Sequence, residues 1–332
     1  MSRKARNVRR SKPTASVAII GAGRVGTALA LSLKECGFQI KVIVAKHAAT
    51  ARRAGLLVGK STRGVSAAQL SRFSPSELAT ISRSRLIIIA TPDDAIAQVA
   101  ASLAKLLGPV SCSTGGRSFS ATVLHTSGAR SSEELQPLAR LGFATGSLHP
   151  LIAISDPRKA LPLLSKCFYA IEGTSKANRI ARSLVRSLGG QPFSIRAENK
   201  ALYHAAALTA SPNLIALFDV ALEMLSRCGL SRARGRRILL PLVLSTLANL
   251  SDEDPAKALT GPFRRGDAET VKKHLAALRS ENLENALDVY LTLGRRALSL
   301  SLKNQPTEGH LELNRMISSI KSNRGDHSST ST

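Results

Sequence analysis

The sequence has few cysteines, few aromatic residues and no long apolar run. Its four cysteines stand apart with no CxxC spacing, which argues against a zinc site and a disulfide framework and fits a reducing cytoplasm. No segment offers the roughly 18 uninterrupted apolar residues of a membrane span, and the N-terminal region has no secretory apolar stretch. We therefore expect a cytoplasmic protein with no metal site and no membrane partner.

Acidic residues are also scarce, with 22 against 47 lysines and arginines, so the net charge is +25. Such a charge attracts polyanions without specificity. Aromatic residues make up only 3% of the chain, and no helix-turn-helix or RNA-binding signature is present. Nucleic-acid binding is thus an alternative role and not the leading one, and residues 1–15 are expected to form a disordered basic tail.

Short β-branched or apolar segments alternate with helical periodicity from residue 16 onward, which predicts a doubly wound parallel α/β sheet. From Glu198 the pattern becomes almost wholly helical. The expected domains are an α/β unit with a sub-boundary near 150, an all-helical unit and a disordered tail, over 16–196, 197–304 and 305–332. Residues 111–119 are interpreted as an inserted loop.

The segment "VAIIGAGRVG" carries GxGxxG at Gly21, Gly23 and Gly26, directly after a strand and at the start of a helix. That context gives the motif its meaning: a tight turn, close approach to a pyrophosphate, and close packing of helix on strand. The free N–H groups of the helix N-terminus then face the phosphates. The residues of this turn are expected to contact a dinucleotide, with Ala22, Arg24 and Val25 beside the glycines.

The identity of the dinucleotide follows from the next segment. An NAD site usually has an acid at the end of the second strand, but no Asp or Glu occurs from Cys36 to Ser76. Lys46, His47 and Arg52 occupy this region and suit a 2′-phosphate, so NADP is predicted in preference to NAD. Thr91 and Pro92 follow a buried strand and are expected to line the nicotinamide side.

Two further strands end on histidines, His125 with Ser127 close behind it, and His149. If these strands are parallel to the first, the side chains emerge at the cofactor's edge, where a histidine could donate a proton to a reduced C=O or C=N group. In the helical part Lys200 and His204 lie one turn apart, and Asn213 follows a helix break at Pro212. All six residues are candidates for the reaction site, and structural roles remain open for each.

The segment "TGPFRRGD" over residues 260–267 interrupts the helices. Asp267 is expected to be the N-cap of the next helix. Arg264 and Arg265 are expected either to clamp an anionic substrate or to form salt bridges between helices.

Motifs distributed over residues 16–300 together resemble the Rossmann-like proteins with "domain of unknown function 2520". They are "GAGRVGTAL", "ATPDDAI", "LHTSGA", "GSLHPL", "FYAIEG", "KALYHAAALTASPN" and "LTGPFRRGD". The family is similar in architecture to pyrroline-5-carboxylate reductase, prephenate dehydrogenase and F420-dependent NADP reductase. The resemblance implies a helical domain of the 6-phosphogluconate-dehydrogenase C-terminal-like type, a homodimer built through it, and an active site in the interdomain cleft. It implies no particular substrate.

The leading expectation is therefore an NADP-dependent oxidoreductase that acts on a small anionic metabolite. A non-catalytic NADP-binding sensor or partner protein is the alternative, because a fold does not by itself fix a function. Nucleic-acid binding through the basic surface is the second alternative.

Overall fold

The computed structural model describes residues 15–113, 121–303 and 306–325. The predicted basic tail, apart from Ala15, and most of the predicted inserted loop lie outside the described residues. The chain forms two compact units, Met1–Ala210 and Ser211–Thr332. The helix Lys200–Ala210 thus groups with the sheet, although residue 197 is the predicted start of the helical domain. Lys200 donates side-chain hydrogen bonds to the Ser127 carbonyl and to Ser147 of the first unit.

Within the described residues, eight strands form one sheet in the order β3-β2-β1-β4-β5-β6-β7-β8. All neighbouring pairs are parallel except β6 and β7, which are antiparallel. The strands are β1 (Ser16–Ile20), β2 (Gln39–Ala45), β3 (Arg63–Ser66), β4 (Leu86–Ile89), β5 (Thr122–His125), β6 (Ala144–Pro150), β7 (Phe168–Gly173) and β8 (Gln191–Ser194). The predicted doubly wound α/β sheet is confirmed, with one antiparallel junction that the sequence pattern did not reveal.

Helices α1 to α9 belong to the first unit. They are α1 (Arg24–Glu35), α2 (Ala48–Val58), α3 (Ala67–Leu70), α4 (Pro75–Ser82), α5 (Ile96–Ser113), α6 (Gln136–Ala139), α7 (Leu161–Leu164), α8 (Ser175–Leu188) and α9 (Lys200–Ala210). Three 3-10 turns, Asp93–Ala95, Ser132–Leu135 and Ala197–Asn199, precede α5, α6 and α9. Helix α5 continues through Pro109 to Ser113 and so includes the first three residues of the segment expected to form an inserted loop.

Helices cover both faces of the sheet. One core cluster joins α1, α2, α7 and α8 to the sheet, and the other joins α4, α5 and α6 to its opposite face. Because apolar residues are needed on both faces, β1 and β4 read as continuous apolar runs. The carboxyl ends of the parallel strands β1, β4, β5 and β6 therefore lie at one edge of the sheet.

The second unit is helical. It contains α10 (Pro212–Arg227), α11 (Arg232–Asp252), α12 (Pro255–Ala258), α13 (Pro262–Arg265), α14 (Ala268–Ser280), α15 (Glu284–Ser301) and α16 (Glu308–Gly325). Its core cluster lies mainly among α13, α14, α15 and α16. Residues 308–325 had been expected in a tail, but Leu313 and Ile317 are buried one turn apart in this core.

One helical stretch, Ala197–Arg227, is long and apolar enough to cross a membrane by length and composition alone. Only 6% of the relevant window is buried in the described chain. The chain departs from regular helix at Ser211, and α10 starts at Pro212, as the sequence predicted. The expectation that no segment could span a membrane rested on uninterrupted apolar runs, a stricter criterion than this one.

Candidate functional site

The glycine turn between β1 and α1 has two glycines that tolerate no side chain. Gly21 has φ +116°, and a Cβ there would lie 2.3 Å from the Ala90 carbonyl oxygen. A Cβ on Gly26 would lie 1.9 Å from the Gly21 carbonyl oxygen, so α1 packs directly on the turn. By contrast, a Cβ on Gly23 would meet no atom within 4 Å. Gly23 therefore presents bare backbone to open space.

Two further observations show that the turn fits a phosphate-bearing group. Helix α1 begins at Arg24 with no side-chain cap on Gly23 and no acidic residue in its first turn, which leaves N–H groups for an anion. Past β4, the Thr91 hydroxyl is buried and finds no hydrogen-bond partner among the described residues. Ala22 and Val25 pack against the core, and Pro92 caps the 3-10 turn that follows.

The basic residues after β2 are exposed. Lys46 follows β2, and His47 is the N-cap residue of α2 without a side-chain cap bond. Beside the glycine turn, a cavity of about 760 Å³ is lined by Gly23, Thr27 and residues of α2. Among the described residues, α2 contributes Arg53 to this lining and not Arg52.

His125 lies at the end of β5 and is fully buried. Its Nδ1 accepts a hydrogen bond from the Ser127 N–H at 3.2 Å, so Nε2 carries the proton and donates to the Ser131 carbonyl at 3.0 Å. Burial lowers the pKa of His125 to about 4. Both ring nitrogens are used by backbone groups, so the geometry favours a structural role over proton donation.

Ser127 begins the turn that follows β5. Its Oγ accepts hydrogen bonds from the backbone N–H groups of Ala129 and Arg130, at 3.1 and 2.9 Å. Its carbonyl oxygen accepts a hydrogen bond from Lys200 Nζ at 3.1 Å. The serine thus fixes the turn and anchors the lysine.

Lys200 is fully buried at the start of α9. Besides the Ser127 carbonyl, its ammonium donates to Ser147 Oγ at 2.9 Å. Ser147 in turn donates to Glu172 at 3.3 Å, and Glu172 also accepts from the N–H and hydroxyl of Ser132 at 2.8 and 2.6 Å. Burial lowers the pKa of Lys200 to about 8, although the nearby carboxylate of Glu172 acts in the opposite direction.

Next to this network lies a group of half-buried side chains, here called the His149 cluster: His149, Tyr203 and His204, with Gly128. His149 Nδ1 and the Tyr203 hydroxyl are 2.8 Å apart, and the ring centroids of His149 and His204 are 5.8 Å apart. A Cβ on Gly128 would lie 2.6 Å from the His204 ring and 2.9 Å from the His149 ring, so a side chain at this position would displace both imidazoles.

The surroundings of His149 and Tyr203 favour the neutral forms of these two side chains. Burial and the neighbouring His204 lower the pKa of His149 to about 4. Burial raises the pKa of the Tyr203 hydroxyl to about 12. At neutral pH the pair therefore carries one imidazole proton and one phenol proton.

The remaining predicted site residues belong to the second unit. Asn213 is exposed near the start of α10. Arg264 and Arg265 end the short helix α13 between two glycines with positive φ, Gly261 and Gly266. Arg264 is half-buried and makes no ion pair within the described residues, whereas Arg265 lies 3.8 Å from the Asp267 carboxylate. Asp267 accepts a hydrogen bond from the Thr270 N–H, which confirms it as the N-cap of α14.

Sequence reasoning had assigned no role to Glu172, Ser147 or Tyr203. Glu172 and Ser147 face each other only because β6 and β7 pair in antiparallel register, which no local pattern discloses. Tyr203 could have been found, because it lies three residues after Lys200 and next to His204 on the same helix.

Two family models match the chain. Residues 1–150 match a Rossmann-like domain, and residues 167–297 match the domain of unknown function DUF2520. The two matches lie in successive parts of the chain, and the resemblance carried by its motifs is confirmed. No curated protein matches it in sequence.

Solved structures share the fold. A protein from Bacteroides fragilis, solved as a putative NADP oxidoreductase, is 20% identical with a TM-score of 0.65, over 86% of this chain and 98% of the other. A protein from Thermotoga maritima is 20% identical with a TM-score of 0.62, over 87% and 100%. An imine reductase from Myxococcus stipitatus in complex with NADP⁺ is 16% identical with a TM-score of 0.59, over 86% and 94%.

Proposed function

We propose that this chain, a Rossmann-like domain joined to a DUF2520 domain, is an NADP-dependent oxidoreductase that transfers a hydride to or from a small anionic metabolite. One observation carries the proposal: the glycine turn after β1 and the His149 cluster at the end of β6 lie at the same sheet edge. In open α/β sheets, ligands bind at this edge where the strand order reverses, here between β1 and β4.

NADP would lie with its pyrophosphate against Gly23 and the first N–H groups of α1. When bound, the nicotinamide supplies or accepts the hydride. The unpartnered Thr91 hydroxyl is available to the cofactor on the side of β4. Lys46, His47 and Arg52 are the candidates from the sequence for the 2′-phosphate. The NADP⁺ held by the Myxococcus stipitatus imine reductase supports this cofactor, and the missing acid after β2 makes NAD the weaker candidate.

Tyr203 is the proposed proton donor. Unlike His125 and Lys200, it is only half-buried and can reach a ligand. With the proton of neutral His149 on Nδ1, the imidazole donates to the Tyr203 oxygen, and the phenol hydrogen points to the substrate. When the substrate oxygen or nitrogen takes that proton, the same imidazole N–H stabilises the phenolate.

Lys200 and Glu172 act as positioning residues in this proposal. The ammonium ties the turn after β5 to β6, and Glu172 holds both Ser147 and Ser132. Their charges compensate each other in a buried location, where an unpaired charge would be costly. The network thereby fixes the backbone that carries His149 and Gly128.

Charge complementarity supports an anionic substrate. The net charge of +25 draws anions to the protein. His204, Ser127 and Asn213 remain candidate substrate contacts, and Arg264 and Arg265 remain candidates for a carboxylate or phosphate clamp.

The partner proposed for the helical unit is a second copy of the chain. Helix α11 is mostly apolar from Ile238 to Leu250, yet among its 21 residues only Gly235 is buried. Large apolar side chains of α10 and α11 are exposed: Ile215, Leu217, Ile238, Leu240, Leu242, Leu244, Leu247 and Leu250. The two helices contact each other, and exposed apolar side chains concentrated on neighbouring helices favour an interface.

The test is hydride transfer by Tyr203→Phe, followed through NADPH absorbance with a panel of keto acids and imines. Tyr290→Phe is a matched control, because Tyr290 makes the same kind of bond to a histidine, 2.8 Å from His274 Nδ1, in the second unit. Loss of a general acid is expected to lower the rate by roughly 10²- to 10⁴-fold, with unchanged NADPH affinity. The control should keep the full rate.

Equal rates for Tyr203→Phe and the wild type would remove Tyr203 from the reaction. NADPH binding by the wild type without turnover of any panel member would favour the non-catalytic NADP-binding protein instead.

A further inference from the structure

The cavity beside the glycine turn has walls from three separate segments of the first unit. They are the start of α1, one face of α2 and the loop before α7. Each segment contributes one arginine to the lining: Arg24, Arg53 and Arg158. At about 760 Å³, the cavity has the volume of a site for a small ligand.

The charge of this cavity is largely uncompensated. Asp156 is the acidic residue among its lining residues, and its Oδ1 accepts the backbone N–H of Arg158 at 2.9 Å, so it serves its own loop. In the part of the chain that the structure describes, no ion pair involves Arg24, Arg53 or Arg158. Three guanidinium groups without carboxylate partners form a site suited to a phosphate.

Helix geometry separates the two neighbouring arginines of α2. Five residues of α2 line the cavity: Thr50, Arg53, Ala54, Leu56 and Leu57. All of them except Leu56 follow the spacing of one helix face. Arg52 is rotated from Arg53 by about 100° around the helix and does not line the cavity. The sequence alone could not distinguish them, because both are basic and adjacent.

The position of the cavity identifies the phosphate. Gly23 and Arg24 belong both to the cavity lining and to the turn proposed to hold the pyrophosphate. With the pyrophosphate at this turn, another phosphate of the same ligand would lie in the adjoining cavity and contact its arginines. The 2′-phosphate distinguishes NADP from NAD, and it is a phosphomonoester with a charge of about −1.5 to −2 at neutral pH.

We propose that this cavity binds the adenosine 2′-phosphate of NADP and that Arg53 and Arg158 determine the preference for NADP over NAD. This inference rests on the proposed function, and it moves the main α2 contact from Arg52 to Arg53. Arg24, at the first position of α1, is shared between the 2′-phosphate and the pyrophosphate.

The experiment compares the dissociation constants of NADP and NAD by calorimetry for the wild type, the double variant Arg53→Ala/Arg158→Ala, and the control Arg179→Ala. Arg179 is exposed on α8 of the first unit and does not line the cavity. Charge-assisted hydrogen bonds of this kind lead us to expect NADP binding at least about 10-fold weaker in the double variant, with NAD binding unchanged. The control should keep the wild-type preference. Melting temperatures check that each variant is folded.

A double variant that keeps the preference for NADP, while the wild type shows it, would overturn the inference and leave the proposed function intact. Failure of the wild type to bind either dinucleotide would instead refute the proposed function. Inorganic phosphate tests whether the arginines bind a separate phosphorylated ligand. Suppose that phosphate stabilises the wild type but not the double variant, while both proteins show the same preference for NADP. The arginines then bind that other ligand, and the inference is wrong.

Discussion

At the scale of single residues, His125 illustrates how a histidine at a catalytic-looking strand end can be structural. Its position after β5 depends on the sheet, but its role depends on the following turn, which supplies the Ser127 N–H and the Ser131 carbonyl. The sequence could therefore predict where His125 lies but not that its role is structural. His149 lies near the end of the next strand, β6, and its hydrogen-bond partner is a side chain, Tyr203.

The low pKa of His125 predicts loss of stability on mild acidification. Its pKa falls from an ordinary 6.5 to about 4 on folding, so between these values the unfolded chain binds more protons and folding weakens as the pH falls. The shift corresponds to roughly 3 kcal/mol at most. His125→Asn keeps an acceptor for Ser127 and should reduce the loss of urea stability between pH 7 and pH 5.

Replacement of the exposed His274 by Asn is the control for this measurement, because His274 lies in the second unit and bonds only a tyrosine hydroxyl within the described residues. An acid-induced loss as large in His125→Asn as in the wild type would show that other groups cause it, His149 first among them, since its pKa is also lowered to about 4.

At the scale of elements, the sequence predicted most of the sheet because buried parallel strands carry their own signal. "AIIG" and "LIIIA" are apolar throughout, and glycines mark the turn between β1 and α1. The reversal of β7 relative to β6 was missed, since direction depends on pairing at a distance. That pairing places Glu172 opposite Ser147, so the missed direction and the missed site residue have one cause.

The prediction for the last helix, α16, failed for the opposite reason: the sequence contains a local helical pattern, but the many polar residues around it favoured a tail. Polar residues near the end of the chain favoured a tail, although Leu313, Met316 and Ile317 recur at helical spacing. In the structure they form the buried face of α16. The distinction between a tail and a helix was thus decided by tertiary burial and not by average polarity.

The burial of α16 makes it a stabilising element. Leu313 is fully buried, so Leu313→Ala should lower the free energy of unfolding of the helical unit by about 2–5 kcal/mol through lost transfer energy and a residual cavity. Leu311 lies on the same helix but is 52% exposed, and Leu311→Ala should change stability little. Chemical denaturation followed by circular dichroism measures both. Equal effects of the two substitutions would show that α16 does not pack as described.

At the scale of the whole molecule, the distribution of exposed apolar side chains does not fit a monomer. The first unit buries apolar clusters on both faces of its sheet, whereas α11 in the second unit leaves Leu242, Leu244 and Leu247 exposed. Water contact with so much apolar surface is unfavourable, at about 25 cal/mol per Å². A second copy covering the same helix would remove this surface from both chains at once, as in a two-fold symmetric interface.

This predicts a dimer in solution, which sedimentation velocity or light scattering over a range of concentrations would measure. The double variant Leu242→Glu/Leu247→Glu should be a monomer, because burying two carboxylates in an apolar interface is costly. Leu163→Glu is the matched control, since Leu163 is also exposed, at 52%, but lies in the first unit and outside the α10 and α11 surface. A wild type that stays monomeric at all concentrations would refute the dimer. Binding of the monomeric wild type to lipid vesicles would then assign the exposed apolar surface to a membrane.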